Sequence, residues 1–374
     1  MAHSAFHQDT LAISATVPAT IEAFVAPQLP ALSAAGWKIH ILTSPGLPTT
    51  FADHAGVTVH EVAMTRAMNP VADLTGLRDW VRLLREIRPG VILGSTPKAG
   101  MLSMVAGRIV GVPRRIFLHR GARWETEKGW QRRVLMAADK VTIRSATETL
   151  AVSNSLAALL VQERVARNRP LVLGMGGSKG VDLSVFTPPP HERKVDIFSL
   201  GFVGRLSEDK GIDTVLKVLD RVRQSLPHAR LIVVGDSDGT NPIDPTTMRR
   251  IESGGSIEWT GYASDVAAQM QRLDVLVFPS QREGLPNVVI EAAACGVPTV
   301  GWDATGVRDA ISDGVSGRTV RRGDIDAMVE AVLAISRQDR STVAGSCTDW
   351  ARKFDQRALT SALVGYLDDG RARG

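Results

Sequence analysis

Two carboxylates, Glu283 and Glu291, have seven residues between them in a stretch that reads as a single strand-to-helix turn, Pro279 to Pro298. A carboxylate among Val, Ile and Ala is costly to desolvate unless a hydrogen-bond donor meets it. A pair placed around one such turn suits a site that accepts hydroxyl donors, as a sugar or a ribose supplies. A cationic cluster lies upstream in Gly201-Phe202-Val203-Gly204-Arg205-Leu206-Ser207-Glu208-Asp209-Lys210-Gly211. There a strand runs into a glycine turn, and Arg205 and Lys210 stand before a helix. A guanidinium forks onto a diphosphate, and an ammonium adds a compact point charge. Each charge-assisted bond contributes about 1.5–3 kcal/mol. Two of them plus a helix N-terminus reach the order of −8 kcal/mol, enough for micromolar binding. The plainer alternative is a surface turn in which Arg205 and Lys210 pair with Glu208 and Asp209.

The elements that must hold these residues alternate in type. Pro286 suits a first helical position and Gly296 the left-handed residue past the helix end, with Pro298 blocking continuation. In the first half, strands are expected at Leu11–Thr16, Trp37–Thr43, Val57–Val62, Val91–Gly94, Ile116–His119 and Thr149–Ser153. Helices are expected over about Ile21–Ala35, Val71–Ile87, Lys98–Val110, Trp130–Ala138 and Ser155–Glu163. The segment from Leu77 to Arg88 puts Leu77, Trp80, Val81, Leu84 and Ile87 on one face and Arg78, Arg82 and Arg85 on another, a core-packed helix with a solvated side. The run Pro188-Pro189-Pro190-His191-Glu192-Arg193-Lys194 reads as a stiff exposed linker. Alternation then restarts, with strands at Ile197–Val203, Leu231–Val234, Ile257–Thr260, Val275–Phe278 and Pro298–Gly301. Helices fall at Ile212–Gln224, Pro245–Glu252, Ser264–Leu273 and Ile325–Ile335. Strands separated by crossover helices predict parallel sheets covered on both faces. The fold class is therefore α/β, with two doubly wound Rossmann-like domains facing each other across a cleft.

Composition agrees with a core-forming protein: 374 residues, 44% hydrophobic and 22% charged, suggest two domains. Cys295 and Cys347 form no disulfide framework, which predicts a reducing cytosol. No Lys or Arg precedes Lys38, and the longest uncharged run, Ala23 to Trp37, is 15 residues broken by two prolines and a glycine. Neither a secretory leader nor a bilayer span is expected. Charge is uneven. Residues 1–190 hold 21 Lys and Arg against 13 Asp and Glu, whereas residues 191–374 hold 23 against 26. A basic first half fits an anionic membrane surface, a phosphorylated acceptor or nucleic acid, or else a scattered solvated surface.

Gly-Arg followed by Lys-Gly, with E-x7-E carrying Gly-Leu-Pro-Asn after its first Glu, resembles family 4 glycosyltransferases, retaining enzymes of the GT-B fold. The resemblance covers nearly the whole chain. It is strongest from Phe198 to Thr319 and includes Thr305-Gly306-Val307-Arg308-Asp309-Ala310. In the first half, Ser95-Thr96-Pro97-Lys98-Ala99-Gly100 and Gly174 to Asp182 resemble members that build bacterial capsule, lipopolysaccharide or exopolysaccharide. The resemblance implies an acceptor-binding domain over 1–188 and a nucleotide-sugar-binding domain over 196–349. A C-terminal helix over 350–370, which takes in most of the helical periodicity of Asp349 to Leu367, would pack back on the first domain. It also implies that Arg205 and Lys210 hold the donor diphosphate, aided by Gly204. Glu283 would contact hydroxyls of the transferred sugar, with Gly284, Leu285, Pro286 and Asn287 nearby, and Glu291 would bind the ribose hydroxyls. Gly261 and Tyr262 would neighbour the base. On the acceptor side it implies Thr16, Lys98, His119, Arg120 and Lys179. Many members carry His-Gly where this chain reads Arg120-Gly121, and Lys179 stands where Asn usually precedes Gly-Val-Asp.

The implied reaction is retaining transfer of a sugar from a nucleoside-diphosphate donor to a hydroxyl acceptor. A polyprenyl-diphosphate-linked saccharide at the inner membrane face would explain the Arg114, Arg115, Arg120, Arg123, Lys128, Arg132 and Arg133 cluster. No cofactor, no metal and no nucleic-acid partner is expected. Asp236 and Asp238 sit in a strand-end turn where Asp commonly bonds its own backbone, and cationic side chains can neutralise a leaving diphosphate without a metal. The rival readings are transfer to a soluble small molecule, a non-catalytic nucleotide-sugar binder, and a nicotinamide oxidoreductase. The last is disfavoured because Ser14 to Thr20 holds no glycine for a dinucleotide turn.

Overall fold

The computed structural model describes residues 6–371, apart from 49, 52, 53, 55, 63, 65–69, 191–196 and 238–241. The chain divides into two compact units, one of residues 1–179 with 357–374 and the other of residues 180–356. Residues 191–194 of the expected linker lie outside the described residues, as does Asp238.

The first unit runs β1 (His7–Ser14), α1 (Pro18–Phe24), α2 (Leu29–Ala34), β2 (Lys38–Thr43), β3 (Val57–Glu61), α3 (Pro70–Ile87), β4 (Pro89–Ser95), α4 (Pro97–Val110), β5 (Arg114–His119), α5 (Gly129–Ser145), β6 (Glu148–Ala151) and α6 (Asn154–Gln162). Its six strands are all parallel, in the order β3-β2-β1-β4-β5-β6. Every residue of β4 is buried, as a parallel strand covered on both faces requires.

The second unit runs β7 (Ser199–Val203), α7 (Ile212–Ser225), β8 (Arg230–Val234), α8 (Pro245–Glu252), β9 (Ile257–Gly261), α9 (Val266–Met270), β10 (Val275–Phe278), α10 (Asn287–Ala294), β11 (Thr299–Trp302), α11 (Val307–Ala310), β12 (Gly317–Val320), α12 (Ile325–Ile335) and α13 (Arg340–Ala351). The parallel strand order is β12-β11-β10-β7-β8-β9, the same winding repeated. Helix α7 shows why the layers hold. Ile212, Val215, Leu216, Val218, Leu219 and Val222 are all buried against the sheet. Each such side chain stabilises by about 1.5–3 kcal/mol relative to exposure. Both cysteines are free and buried, and burial pushes each thiol up to about 12. Such thiols stay protonated and unreactive.

The helix expected at Trp130–Ala138 runs on to Ser145, the one expected at Ser264–Leu273 shrinks to Val266–Met270, and two expected helical stretches are broken. The stretch expected as one helix over Ile21–Ala35 is α1, a 3-10 turn at Ala26–Gln28, and α2. Pro27 and Pro30 lack the N–H that a continuous helix needs. The periodic stretch from Asp349 also breaks: α13 ends at Ala351, a 3-10 turn covers Arg352–Phe354, and α14 (Gln356–Arg371) starts anew. Val181 is the cause. Its N–H donates to the Phe354 carbonyl at 2.8 Å, and its carbonyl accepts from Gln356 N–H at 3.0 Å. Backbone groups bound to another segment cannot also close a helical ladder. Beyond the break, Leu363 and Leu367 join the first unit's core with Ile13, Leu29 and Trp37.

Candidate active site

Strands β7 and β10 are neighbours, with Val275 beside Leu200 and Leu276 beside Gly201. The winding reverses between them, since β8 lies beyond one and β11 beyond the other. In an open parallel sheet, ligands settle at the carboxyl ends of the strands at such a switch point. The loop leaving β7 carries Gly204, Arg205 and a 3-10 turn, Glu208–Lys210. The loop leaving β10 carries Glu283. The two loops are packed together. Gln281 N–H donates to the Asp209 carbonyl at 3.0 Å. A Cβ on Gly211, whose φ is +75°, would lie 2.7 Å from the Pro279 carbonyl.

This packing brings Lys210 Nζ to 2.5 Å from Glu283 Oε1. Ser280 Oγ donates to the same carboxylate oxygen at 2.7 Å. The two charged side chains are only 20% and 15% exposed, so salt screens the pair less than a surface pair. A carboxylate has two acceptor oxygens, and the second has capacity for a hydroxyl donor. Lys210 thus reaches across to the second loop instead of pairing within its own turn, where Asp209 accepts from Ser207 Oγ at 2.7 Å. Exposed Arg205 stands between two backbone anchors. Gly204 N–H donates to the Val234 carbonyl at 2.9 Å and Leu206 N–H to the Asp236 carbonyl at 3.0 Å.

The Glu283 loop is braced from β11's side of the sheet. Glu283 N–H donates to the Thr305 carbonyl at 3.1 Å. Gly306 (φ +75°) approaches so closely that a Cβ would meet the Gly284 carbonyl at 2.4 Å. Gly284 and Leu285 follow, half-buried. Pro286 is the N-cap of α10, one residue before the expected first helical position, and Asn287 opens the helix. Glu291 lies within α10, half-buried. Gly296 (φ +77°) follows the helix as its left-handed residue. Gly261 closes β9 and its carbonyl accepts from Gly235 N–H at 2.8 Å. Tyr262 next to it is 85% exposed.

In the first unit the corresponding switch point lies between β1 and β4. Thr16 and Thr96 meet there, their hydroxyl oxygens 2.8 Å apart, and Thr16 Oγ1 accepts from Ala99 N–H at 3.2 Å. Thr96 holds the uncommon φ of +67° just ahead of α4, where Lys98 lies half-buried in the first turn. Strained non-glycine positions of this kind persist where surrounding contacts enforce them. His119 and Arg120 separate at the end of β5. His119 is buried, its Nε2 3.0 Å from Asp139 Oδ2, and Trp124 Nε1 donates to the same oxygen at 2.8 Å. That ring is part of the packing under α5. Arg120 stacks over Phe24 at 4.6 Å and lines a cavity of about 30 Å³ with Gln28, Ser95 and leucines. Its Nε and Nη1 are shut off from solvent and lack an acceptor among the described residues. Burial pulls its pKa down to about 10. Lys179, half-buried, ends the first unit's main segment.

Sequence reasoning missed Ser280, Thr305 and Thr96, which hold Glu283 and Thr16, and the Asp139–Trp124 pair around His119. Ser280 was legible by position, since it opens the turn that carries Glu283. Thr96 and Thr305 stand inside motifs that carry the family resemblance, but their contacts, like those of Asp139 and Trp124, are with residues remote in the chain.

Among the described residues no three His, Cys, Asp or Glu side chains group as metal ligands. No described helix is long and apolar enough to cross a membrane.

Comparison with known proteins bears on this geometry. The model of the family "Glycosyl transferases group 1" matches residues 198–338, and that of "Glycosyl transferase 4-like domain" matches residues 20–176. The capsular polysaccharide biosynthesis glycosyltransferase CapM of Staphylococcus aureus is 30% identical over 336 residues, covering 87% of each chain. Sucrose-phosphate synthase from Thermosynechococcus elongatus superposes with a TM-score of 0.81 at 19% identity, over 98% of this chain and 100% of that one. Anabaena HepE, solved in complex with UDP, superposes with a TM-score of 0.76 at 18% identity, over 96% and 99%. Two parallel sheets of the same winding, a lysine and a carboxylate joined at the switch point of the second, and these matches together place the chain in the glycosyl transferases group 1 family, with the GT-B fold.

Proposed function

We propose that this glycosyltransferase moves a sugar from a nucleoside-diphosphate donor to a hydroxyl of a polyprenyl-diphosphate-linked saccharide, with retention at the anomeric carbon and without a metal, in cell-surface polysaccharide synthesis. The observation that carries the donor half is the Lys210–Glu283 pair at the β7/β10 switch point. As the donor bond breaks, charge accumulates on the departing diphosphate. Arg205 and Lys210 stabilise that charge more in the transition state than in the ground state. Glu283 orients hydroxyls of the transferred sugar and holds Lys210 in place, while Glu291 takes the ribose hydroxyls. The acceptor attacks from the face that the diphosphate leaves, and the departing phosphate oxygen takes its proton. No protein nucleophile is needed. Gly261 and Tyr262 flank the base. Thr16, Lys98, Arg120 and Lys179 serve the acceptor side.

The CapM likeness supports the polysaccharide class of acceptor, and the UDP complex of HepE supports a nucleoside-diphosphate donor. The excess of bases in residues 1–190 supports work at the cytoplasmic, anionic face of a membrane. The test is incubation of the protein with a panel of nucleoside-diphosphate sugars and a short-chain prenyl-diphosphate saccharide. The readouts are nucleoside-diphosphate release and the anomeric configuration of the product by NMR. Product of inverted configuration, or turnover that vanishes with a chelator, would refute the corresponding part of the reading. Release with soluble saccharides alone would refute the lipid-linked acceptor.

A further inference from the structure

Helix α5 fully buries only polar side chains and leaves part of its apolar surface outside. The residues it buries are Asp139, Thr142 and Ser145. Three of its large apolar residues face solvent, Trp130 at 71% exposure, Val134 at 42% and Val141 at 46%, while Leu135, Met136 and Ile143 are half-buried and Ile143 packs on the core. Arg133, Ala137 and Arg144 are exposed as well. The positions 130, 133, 134, 137, 141 and 144 recur at three- and four-residue steps, so they form one stripe along the helix. The stripe continues onto α4, where Ile109 is 54% exposed. The neighbouring Arg108 donates from Nη1 to the Arg144 carbonyl at 3.1 Å.

Charge on α5 is one-sided. Arg133, Lys140 and Arg144, with Arg132 paired to Glu163 at 2.7 Å, stand against the helix's single acid Asp139, which is buried and taken by His119 and Trp124. Glu125 and Glu127 precede the helix, offset by Arg123 and Lys128. An exposed tryptophan and valines interleaved with bases match the boundary between lipid headgroups and acyl chains. There the ring and aliphatic stems enter and the cationic heads stay with phosphate. We infer that the outer face of α5, with the end of α4, docks this protein on an anionic lipid surface. A second copy of the chain is the poorer occupant, because an isologous contact would set this acid-free stripe against itself. The inference names the surface that the membrane part of the proposed function requires. The α5 N-terminus, with Trp130, follows the carboxyl end of β5, the end that bears Arg120, so docking sets the acceptor residues of the first unit beside the lipid.

The experiment is co-sedimentation of the full chain, without substrates, with phosphatidylcholine vesicles and with the same vesicles containing phosphatidylglycerol. The variants are Trp130→Glu with Val134→Glu, and Arg133→Gln with Arg144→Gln. All positions are exposed, and circular dichroism checks folding. Wild type should bind only the anionic vesicles, and less as salt rises. Each double variant should lose about tenfold or more in partition, and Trp130→Glu with Val134→Glu should still turn over the short-chain prenyl-diphosphate saccharide. Equal binding by wild type and variants would overturn this surface and leave the membrane reading standing. No binding by wild type would overturn both. A wild-type dimer that the glutamate variant splits would assign the face to a second copy instead.

Discussion

Lys210 Nζ and Glu283 Oε1 lie 2.5 Å apart although 73 residues separate them in the chain. The contact exists because β7 and β10 are sheet neighbours at the winding reversal, so two loops remote in sequence leave the sheet side by side. The pair is complementary in the absence of donor. A bound diphosphate would draw on the same ammonium, and sugar hydroxyls on the same carboxylate. Lys210→Ala, Glu283→Ala and Arg205→Ala should each lower turnover by at least about two orders of magnitude, as losing one oxyanion donor does. Because Lys210 and Glu283 act as one unit, the double variant should be little worse than either single one. Additive losses in steady-state kinetics would show that the pair does not act as a unit.

The loop that holds Glu283 has no slack. At Gly306 a Cβ would stand 2.4 Å from the Gly284 carbonyl and 2.8 Å from that of Glu283, with φ at +75°. Backbone oxygens cannot step aside as a side chain can. Gly306→Ala should therefore move residues 283–285, cost about 1–3 kcal/mol in stability through strain, and cut kcat/KM more than the stability loss explains. Urea melts and donor kinetics on one preparation check both. Unchanged kinetics in a destabilised variant would mean that the loop's position does not matter to the reaction.

The alternation of strands and helices was readable because fully buried parallel strands leave continuous apolar runs, as in Val275–Phe278 and Leu231–Val234. The turn chemistry around Glu283 was readable to within one residue, since Gly296 needs a left-handed φ and Pro286 precedes the helix. What stayed hidden depends on partners far along the chain. Nothing near Phe354 announces that Val181 will take its carbonyl and end a helical run. The family resemblance put His119 and Arg120 together at the acceptor side. Adjacent residues at a strand end point to opposite faces, so one packs on Asp139 and the other lines the Phe24 cavity. The exposed stripe of α5 was equally illegible, because a periodic pattern does not say which side meets the core.

Strands β2 and β3 carry a histidine pair that should govern acid stability. His40 Nδ1 and His60 Nε2 lie 2.8 Å apart, and the rings stack with centroids 5.1 Å apart. Burial, then the neighbouring His60, brings His40 from 6.5 down to about 4. His60 is lowered by burial, against an upward pull from Glu86. The native pair stays neutral while the unfolded chain takes up protons below about pH 6.5, so stability is full above that value and lost as pH falls towards 4. The urea midpoint should drop between about pH 7 and pH 5, and His40→Gln should flatten that drop by about 1–2 kcal/mol. Parallel pH profiles for the two proteins would assign the acid loss to other groups.

At Arg120, stability and function pull in opposite directions. A guanidinium with Nε and Nη1 buried and without an acceptor among the described residues destabilises the protein alone, and the Phe24 ring beneath it offsets only part of that. Arg120→Met keeps the length and removes the charge. It should raise the urea-derived stability by about 1–2 kcal/mol while lowering kcat/KM for an anionic acceptor, with donor hydrolysis in water unchanged. Arg120→Lys should fall between, since an ammonium supplies charge without the fork. A loss of stability in Arg120→Met would show that the native protein already satisfies the guanidinium, and the residue would then be part of the packing and not of the acceptor site.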